Sequence, residues 1–212
     1  SIYKKKYKKY SKYIIMNYIN SIMFLNFKIL KKNFIFFTIF LMFFSFFNSK
    51  NINSRENKSA YDFSFTDIDG KNFPLSKFKG KPILIFNSAS KCGFTSQYTG
   101  IQEIHENYKN KGLIVIGVPS DNFNQEPGKE EDIKKFCMVN FNITFDLTKK
   151  NNVVGADAHP FFEWLNESYN AKPKWNFYKF VINKDGKLEN HFSSMVAPSS
   201  KKLISTLDKV IK

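Results

Sequence analysis

Residues 83–96 read ILIFNSASKCGFTS, and this stretch decides how the rest of the chain is interpreted. An apolar run at 83–86 predicts a strand, the polar residues 87–95 predict a turn, and a helical pattern starts at Ser96. Cys92 therefore lies where the helix N-terminus and the neighbouring Lys91 favour the thiolate over the thiol. A cysteine packed as a small core residue is the alternative, but the Ser, Lys and Gly around Cys92 are typical of a turn. The sequence predicts that Cys92 is a nucleophile.

Strands and helices alternate on both sides of this turn. Strands are predicted at 61–66, 71–73, 83–86, 113–118, 177–182 and 188–192, and helices at 96–109, 130–140, 160–169 and from 199 onward. The first two strands flank the turn DIDG and form a hairpin. The βαβα order followed by ββα resembles the thioredoxin fold. We therefore expect an α/β domain with a mainly parallel central sheet, flanking helices and an N-terminal β-hairpin.

The remaining thiol and imidazole groups limit the chemistry. Thioredoxin-like oxidoreductases carry a second cysteine where this chain has Thr95, so a disulfide cannot form within the turn. The second of the two cysteines is Cys137. The three histidines, His105, His159 and His191, match no zinc-ligand spacing with the cysteines. We expect no metal site and no cofactor, and we expect the histidines to be structural or surface groups.

The composition divides the chain near residue 60. Residues 1–60 carry a net charge of +11, whereas residues 61–212 carry +4 of the total of +15. The scattered lysines of the second part give no reason to expect nucleic-acid binding. The run FIFFTIFLMFFSFF at 34–47 follows basic residues and is shorter than the roughly 20 residues of a membrane span. We expect a targeting leader and linker at 1–60, with a permanent anchor as the alternative, and one domain at 61–212.

The destination of the leader is open to several interpretations. An organelle or the secretory route is expected, with plastid and mitochondrion as candidates, and the leader is expected to engage a membrane or a translocon. Internal Met16 and Met23 allow an alternative in which translation starts downstream and the protein is cytosolic.

Three sequence blocks occur in the order found in a known family. They are NSASKCGFT at 87–95, VPSDNFNQEPG at 118–128 and KWNFYKFVINKDG at 174–186. Together they resemble the signature blocks of the glutathione peroxidase family, and the similarity extends over residues 61–212. The resemblance implies a peroxidase in antioxidant defence that reduces hydrogen peroxide and organic or lipid hydroperoxides.

The resemblance also implies that Cys92 is the peroxidatic cysteine and that Gln125, Trp175 and Asn176 complete a catalytic tetrad. Amide and indole N–H groups donate hydrogen bonds without titrating, so they can hold a thiolate and stabilise charge on a departing oxygen. Each residue also has an ordinary interpretation. Gln125 can cap a loop, Trp175 can pack in the core, and Asn176 can form a turn.

Cys137 matches the resolving cysteine of the thioredoxin-dependent members of the family. The resemblance implies that it attacks the oxidised Cys92 to give a Cys92–Cys137 disulfide, which thioredoxin reduces. A buried helix cysteine is the alternative, since Phe136 and Met138 are apolar neighbours. If Cys137 packs on its helix far from Cys92, residues 133–141 must unfold locally during turnover.

The reductant and the assembly state are inferred from differences within the family. Arg is absent from residue 61 onward, whereas the tetrameric relatives bind glutathione carboxylates partly through Arg. Thioredoxin is therefore the expected reductant and glutathione the alternative. The tetrameric relatives carry a longer segment before the Trp-Asn pair than the short segment 170–174 of this chain, so the resemblance implies a monomer with an open site. A peroxide sensor that passes oxidation to a partner protein is a further alternative, because it needs the same residues.

Overall fold

The structure is a computed structural model and describes residues 58–212. Nearly all of the predicted leader, including the apolar run at 34–47, lies outside the described residues, so the predicted domain boundary stays a prediction. In the part that is described, no helix combines the length and the apolar character needed to cross a membrane.

The described residues form seven strands and four α-helices. The strands are β1 (Ser64–Thr66), β2 (Asn72–Pro74), β3 (Ile83–Ser88), β4 (Ile114–Pro119), β5 (Asp146–Leu147), β6 (Lys179–Ile182) and β7 (Leu188–Phe192). The helices are α1 (Gln97–Tyr108), α2 (Glu130–Phe141), α3 (Pro160–Tyr169) and α4 (Lys201–Ile211). Short 3-10 turns lie at Ala60–Asp62, Leu75–Phe78 and Lys109–Lys111. The predicted helices and hairpin are confirmed, while residues 61–63 belong to a 3-10 turn and its cap instead of the first strand.

The central sheet has five strands in the order β5-β4-β3-β6-β7. β3 pairs with β4 and β4 with β5 in parallel, whereas β6 runs antiparallel to both β3 and β7. The α/β architecture with flanking helices and an N-terminal hairpin is as expected. The sheet is mixed, because only half of its strand pairs are parallel, and the tight turn between β6 and β7 requires antiparallel pairing there.

β3 is the centre of the core, with all six residues buried. Its side chains alternate between two apolar clusters, as the pleat of a strand requires. Leu84 and Phe86 belong to the cluster that includes residues of α1, α2 and α4, and Ile83 and Ile85 to the cluster that includes residues of α3 and the N-terminal hairpin. Burying each such side chain contributes about 1.5–3 kcal/mol, so the strand is firmly held.

The helix ends follow local sequence signals. α2 begins with Glu130, Glu131 and Asp132, whose negative charges interact favourably with the positive end of the helix. α3 has Pro160 in its first turn, and α4 is capped by Ser200, whose side chain accepts from the Leu203 N–H. These signals fix where each helix begins.

Three connections converge at one edge of the central sheet. β3 and β4 are parallel and end together, with Ser88 opposite Pro119. β6 is antiparallel to β3 and starts at the same edge, with Lys179 opposite Phe86. The turn after β3, the loop after β4 and the segment before β6 therefore meet there. These connections carry the three sequence blocks described above.

Candidate active site

Cys92 lies in the turn between β3 and α1. Its side chain is only 7% exposed, and its Sγ accepts a hydrogen bond from the Phe94 N–H at 3.5 Å. The Cys92 carbonyl accepts from the N–H of Thr95 and from the Thr95 hydroxyl. The sulfur thus lies in the turn just before α1, with one backbone N–H donated to it.

Gln125 and Asn176 are joined directly. The Asn176 side chain is fully buried, and its Nδ2 donates to Oε1 of Gln125 at 3.0 Å. The Gln125 carbonyl accepts from the N–H of Lys91, the residue before Cys92, at 3.0 Å. Two hydrogen bonds therefore connect the cysteine turn to the Gln125 loop and that loop to Asn176. With Oε1 engaged, the remaining hydrogen-bonding group of the Gln125 side chain is the Nε2 donor.

Trp175 lies at the surface beside these residues. It is 40% exposed, and its ring packs against Phe123 with the ring centroids 5.4 Å apart. The interpretation of Trp175 as a core aromatic is therefore wrong. A half-exposed indole next to Asn176 can donate its N–H and cover one side of an incoming substrate.

Asn87 is a site residue that sequence reasoning missed. It is fully buried at the end of β3, its Nδ2 donates to the Trp175 carbonyl at 3.1 Å, and its Oδ1 accepts from the Tyr178 N–H at 3.1 Å. Asn87 thereby fixes the turn that carries Trp175 and Asn176. A signal was present, because an amide residue follows an otherwise apolar run.

Glu126 supports the cysteine turn from the opposite loop. It is 1% exposed, and its Oε2 accepts from the Ser90 N–H at 2.7 Å and from the Ser90 hydroxyl at 2.8 Å. Burial raises the pKa of Glu126, and the Ser90 hydrogen bonds oppose that rise. Sequence reasoning gave Glu126 no role, so it missed this contact.

Cys137 lies on α2 and is fully buried. Burial raises the pKa of its thiol to about 11, so the thiol is neutral in the folded chain. Cys92 and Cys137 are both free thiols, so the predicted disulfide is not formed in this structure. In this structure Cys137 is therefore a buried helix cysteine, as the alternative interpretation of this residue predicts.

A cavity lies between the cysteine turn and α2. It has a volume of about 360 Å³ and is lined by residues of the cysteine turn, the Glu126 loop and α2. Its lining includes Lys91, Glu126, Ile133 and Phe136. The cavity leaves open space beside Ile133 and Phe136, on the side of α2 that borders the cysteine turn.

The histidines lie outside this site. His159 stacks on Phe65 with centroids 3.9 Å apart, and its Nδ1 caps α3 by accepting from the Phe161 N–H. Desolvation lowers the pKa of His159, as it does for His105, while His191 is exposed on β7. Across residues 58–212, no group of three or more His, Cys, Asp or Glu side chains is arranged to hold a metal ion.

Comparisons with known proteins find a matching family model and similar relatives. The family model described as glutathione peroxidase matches residues 60–166. A glutathione peroxidase-like peroxiredoxin of Chlamydomonas reinhardtii is 41% identical over 160 residues, which cover 73% of this chain and 98% of the relative. A glutathione peroxidase-like peroxiredoxin of Saccharomyces cerevisiae is 39% identical over 158 residues, covering 72% and 96%.

Solved structures give the same result for the fold. The apo form of Trgpx aligns with a TM-score of 0.59 and 31% identity, over 73% of this chain and 96% of that one. A thiol:disulfide interchange protein of the thioredoxin family from Chlorobium tepidum aligns with a TM-score of 0.56 at 18% identity, over 73% and 97%. The second likeness concerns the fold alone, and together they confirm the thioredoxin-like fold.

Proposed function

The chain belongs to the glutathione peroxidase family, and we propose that it reduces hydroperoxides through Cys92 and Cys137 with thioredoxin as its reductant. Membership in the family makes the chain a thiol peroxidase with an antioxidant function. The assignment of residues is carried by one observation. The Lys91 N–H donates to the backbone carbonyl of Gln125, and the Asn176 side chain donates to the Gln125 side chain, so residue Gln125 connects the cysteine turn to Asn176.

In the first step the Cys92 thiolate attacks the distal oxygen of the hydroperoxide. The S–O bond forms as the O–O bond breaks, and the leaving alkoxide takes a proton to give an alcohol, or water when the substrate is hydrogen peroxide. Cys92 is oxidised to the sulfenic acid. The amides of Gln125 and Asn176 and the indole N–H of Trp175 stabilise the charge that develops on the departing oxygen.

In the second step Cys137 attacks the sulfenic sulfur of Cys92. The S–S bond forms, the S–O bond breaks, and the hydroxide leaves as water with the proton of the Cys137 thiol. Cys137 is fully buried in α2, and burial raises the pKa of its thiol to about 11, so both its access and its neutral state disfavour attack from the folded helix. Local unfolding of residues 133–141 is therefore part of the proposal, and the cavity between Lys91 and Phe136 supports it.

Thioredoxin then reduces the Cys92–Cys137 disulfide to two thiols and becomes oxidised itself. Two observations support this reductant. The relatives from Chlamydomonas reinhardtii and Saccharomyces cerevisiae are named peroxiredoxins, and the domain has no Arg to pair with the carboxylates of glutathione.

The exposure of Trp175 supports an open site that admits hydrogen peroxide as well as bulkier organic and lipid hydroperoxides. The short connection 170–174 supports a monomer. The basic residues and the apolar run within 1–60 support delivery of the protein to an organelle or the secretory route.

Peroxide-dependent NADPH oxidation tests the proposal in two coupled systems, thioredoxin with its reductase and glutathione with its reductase. The full chain is compared with Cys137→Ser. We expect fast turnover with thioredoxin and its loss in Cys137→Ser, which should still consume about one equivalent of peroxide. Equal turnover with glutathione that does not depend on Cys137 would contradict the reductant, and no peroxide consumption by the native chain would contradict the function.

A further inference from the structure

Lys179 is a buried lysine that the proposed mechanism does not use. It begins β6, its side chain is 0% exposed, and its Nζ donates to the carbonyls of Phe177 at 2.9 Å and Val196 at 2.8 Å. Neither acceptor is a carboxylate, and burial lowers the pKa of Lys179 to about 8. Removing an ammonium from water without a paired carboxylate is costly, whereas a methionine would fill the same space without that cost. The contribution of Lys179 therefore lies in its two hydrogen bonds.

Ser194 makes a parallel connection from the loop that follows β7. It is 4% exposed, and its hydroxyl donates to the Asn176 carbonyl at 2.5 Å. Its own carbonyl accepts from Nε2 of Gln97, the first residue of α1, at 2.7 Å. Ser194 thus connects the helix that follows Cys92 to the backbone of Asn176.

These contacts complete the support of one short turn, residues 175–178. Each of its four carbonyls accepts a hydrogen bond. Asn87 donates to the carbonyls of Trp175 and Tyr178. Ser194 donates to that of Asn176, and Lys179 donates to that of Phe177. Phe177 has a φ of 63°, a left-handed conformation that a phenylalanine rarely adopts. Such a conformation persists only where the surroundings impose it, and here the surroundings are these donors.

We propose that Lys179 and Ser194 are positioning residues for the peroxide step, which hold the Asn176 amide against Gln125, the residue bonded to the Cys92 turn. The inference rests on the proposed role of Asn176. Neither residue touches the reacting sulfur in this assignment. Each acts through the backbone of Asn176 or Phe177, and the loop between β7 and α4 thereby becomes part of the active-site framework.

Two variants of the full chain test this assignment. Lys179→Met keeps the volume and removes both donated bonds, while Ser194→Ala removes a single hydroxyl and so is expected to fold even if the lysine variant does not. Lys184→Met is the matched control, because the Lys184 Nζ also donates to a backbone carbonyl, that of Ile211, but at an exposed position. Each variant is oxidised with hydrogen peroxide and, separately, alkylated with iodoacetamide, and the Cys92 peptide is followed by mass spectrometry.

We expect the second-order rate of Cys92 oxidation to fall about tenfold to a hundredfold in Lys179→Met and Ser194→Ala, with the alkylation rate and its pH profile unchanged. Lys184→Met should alter neither rate. Native oxidation rates in Ser194→Ala, or peroxide and alkylation rates that change together, would overturn the positioning role. If the native chain itself reacts with peroxide no faster than free cysteine does, the proposed function fails. If the native chain reacts fast and the variants react equally fast, only the positioning role fails.

Discussion

Asn176 donates a hydrogen bond of 3.0 Å to the side chain of Gln125, although 51 positions separate the two residues in the sequence. The bond orients both amides, because it engages the Gln125 oxygen and one N–H of Asn176. The Asn176 oxygen accepts from Nδ2 of Asn87 at 3.4 Å, so the group that remains on each of the two side chains is a donor. Two adjacent neutral donors are suited to an oxygen atom that gains negative charge.

Truncation of Gln125 should therefore slow the chemical step. Gln125→Ala removes one donor and the partner that orients Asn176, so we expect the rate of Cys92 sulfenic acid formation to fall about 100-fold. Stopped-flow measurement of peroxide consumption in a single turnover checks this. The exposed Asn166 provides the control variant Asn166→Ala, which should react at the native rate.

The double variant Gln125→Ala with Asn176→Ala sharpens the test. Because the two side chains are bonded, their effects should not add, and the double variant should lose less than the product of the two single losses. Strictly multiplicative losses would show that the bond between them does not matter for the rate.

The sequence predicted the residues of the site better than it predicted the buried residues that hold them in place. Cys92 could be found from the turn that follows an apolar strand, and Gln125, Trp175 and Asn176 from the resemblance of three blocks. Lys179 could not, because a lysine beside the apolar residues of the segment KFVI has the pattern of a residue on the exposed face of a strand. The burial of Lys179 depends on the carbonyl of Val196, which lies in the loop between β7 and α4.

Glu126 should give the stability of the fold a specific pH dependence. Because burial raises its pKa, the folded chain binds this proton more tightly than the unfolded chain does. The stability that this tighter proton binding contributes is fully present below the ordinary carboxyl pKa. It is lost as the pH rises through the raised pKa of Glu126 in the folded chain. Glu126→Gln removes the titration but keeps an oxygen to accept from Ser90. We expect the free energy of unfolding of this variant, relative to native, to rise between about pH 4 and about pH 7.

Urea denaturation at the two pH values measures the difference. The exposed Glu163 on α3 serves as the reference, and Glu163→Gln should show no comparable gain. A Glu126→Gln variant whose stability follows the native pH profile would show that this carboxyl does not titrate differently in the two states.

The limits of prediction for the fold have a physical origin as well. The apolar runs located β3 and β4, but a run does not encode strand direction, so the antiparallel place of β6 could not be inferred from it. β5 was missed because only Asp146–Leu147 pair with β4, and two residues show no periodicity. Both features depend on contacts between distant segments.

Gly117 should be intolerant of a side chain because of that short strand. A Cβ at this position would lie 2.7 Å from Cδ2 of Leu147 and 3.2 Å from Cζ of Phe86, closer than packed carbon atoms allow. Gly117→Ala should therefore destabilise the fold by about 1–3 kcal/mol. Thermal and urea unfolding measure this. Gly93→Ala is the control, because a Cβ on Gly93 would meet no heavy atom within 4 Å beyond its two chain neighbours, and equal stability of the two variants would contradict the close packing of β4 on β5.

Oxidation should loosen α2. A disulfide requires its two Cα atoms to come within about 7 Å, and Cys137 is fully buried in a helix, so we expect the proposed Cys92–Cys137 bond to form at the expense of helical hydrogen bonds. After one equivalent of peroxide, we expect amide hydrogens of residues 133–141 to exchange at least about tenfold faster than in the reduced chain. Amides of α4 serve as the internal reference and should not change. Cys137→Ser, which stops at the Cys92 sulfenic acid, should retain the slow exchange of the reduced state. If mass spectrometry shows the disulfide while α2 keeps its protection, then the two cysteines meet without unfolding of the helix, and the conformational step proposed for recycling is wrong.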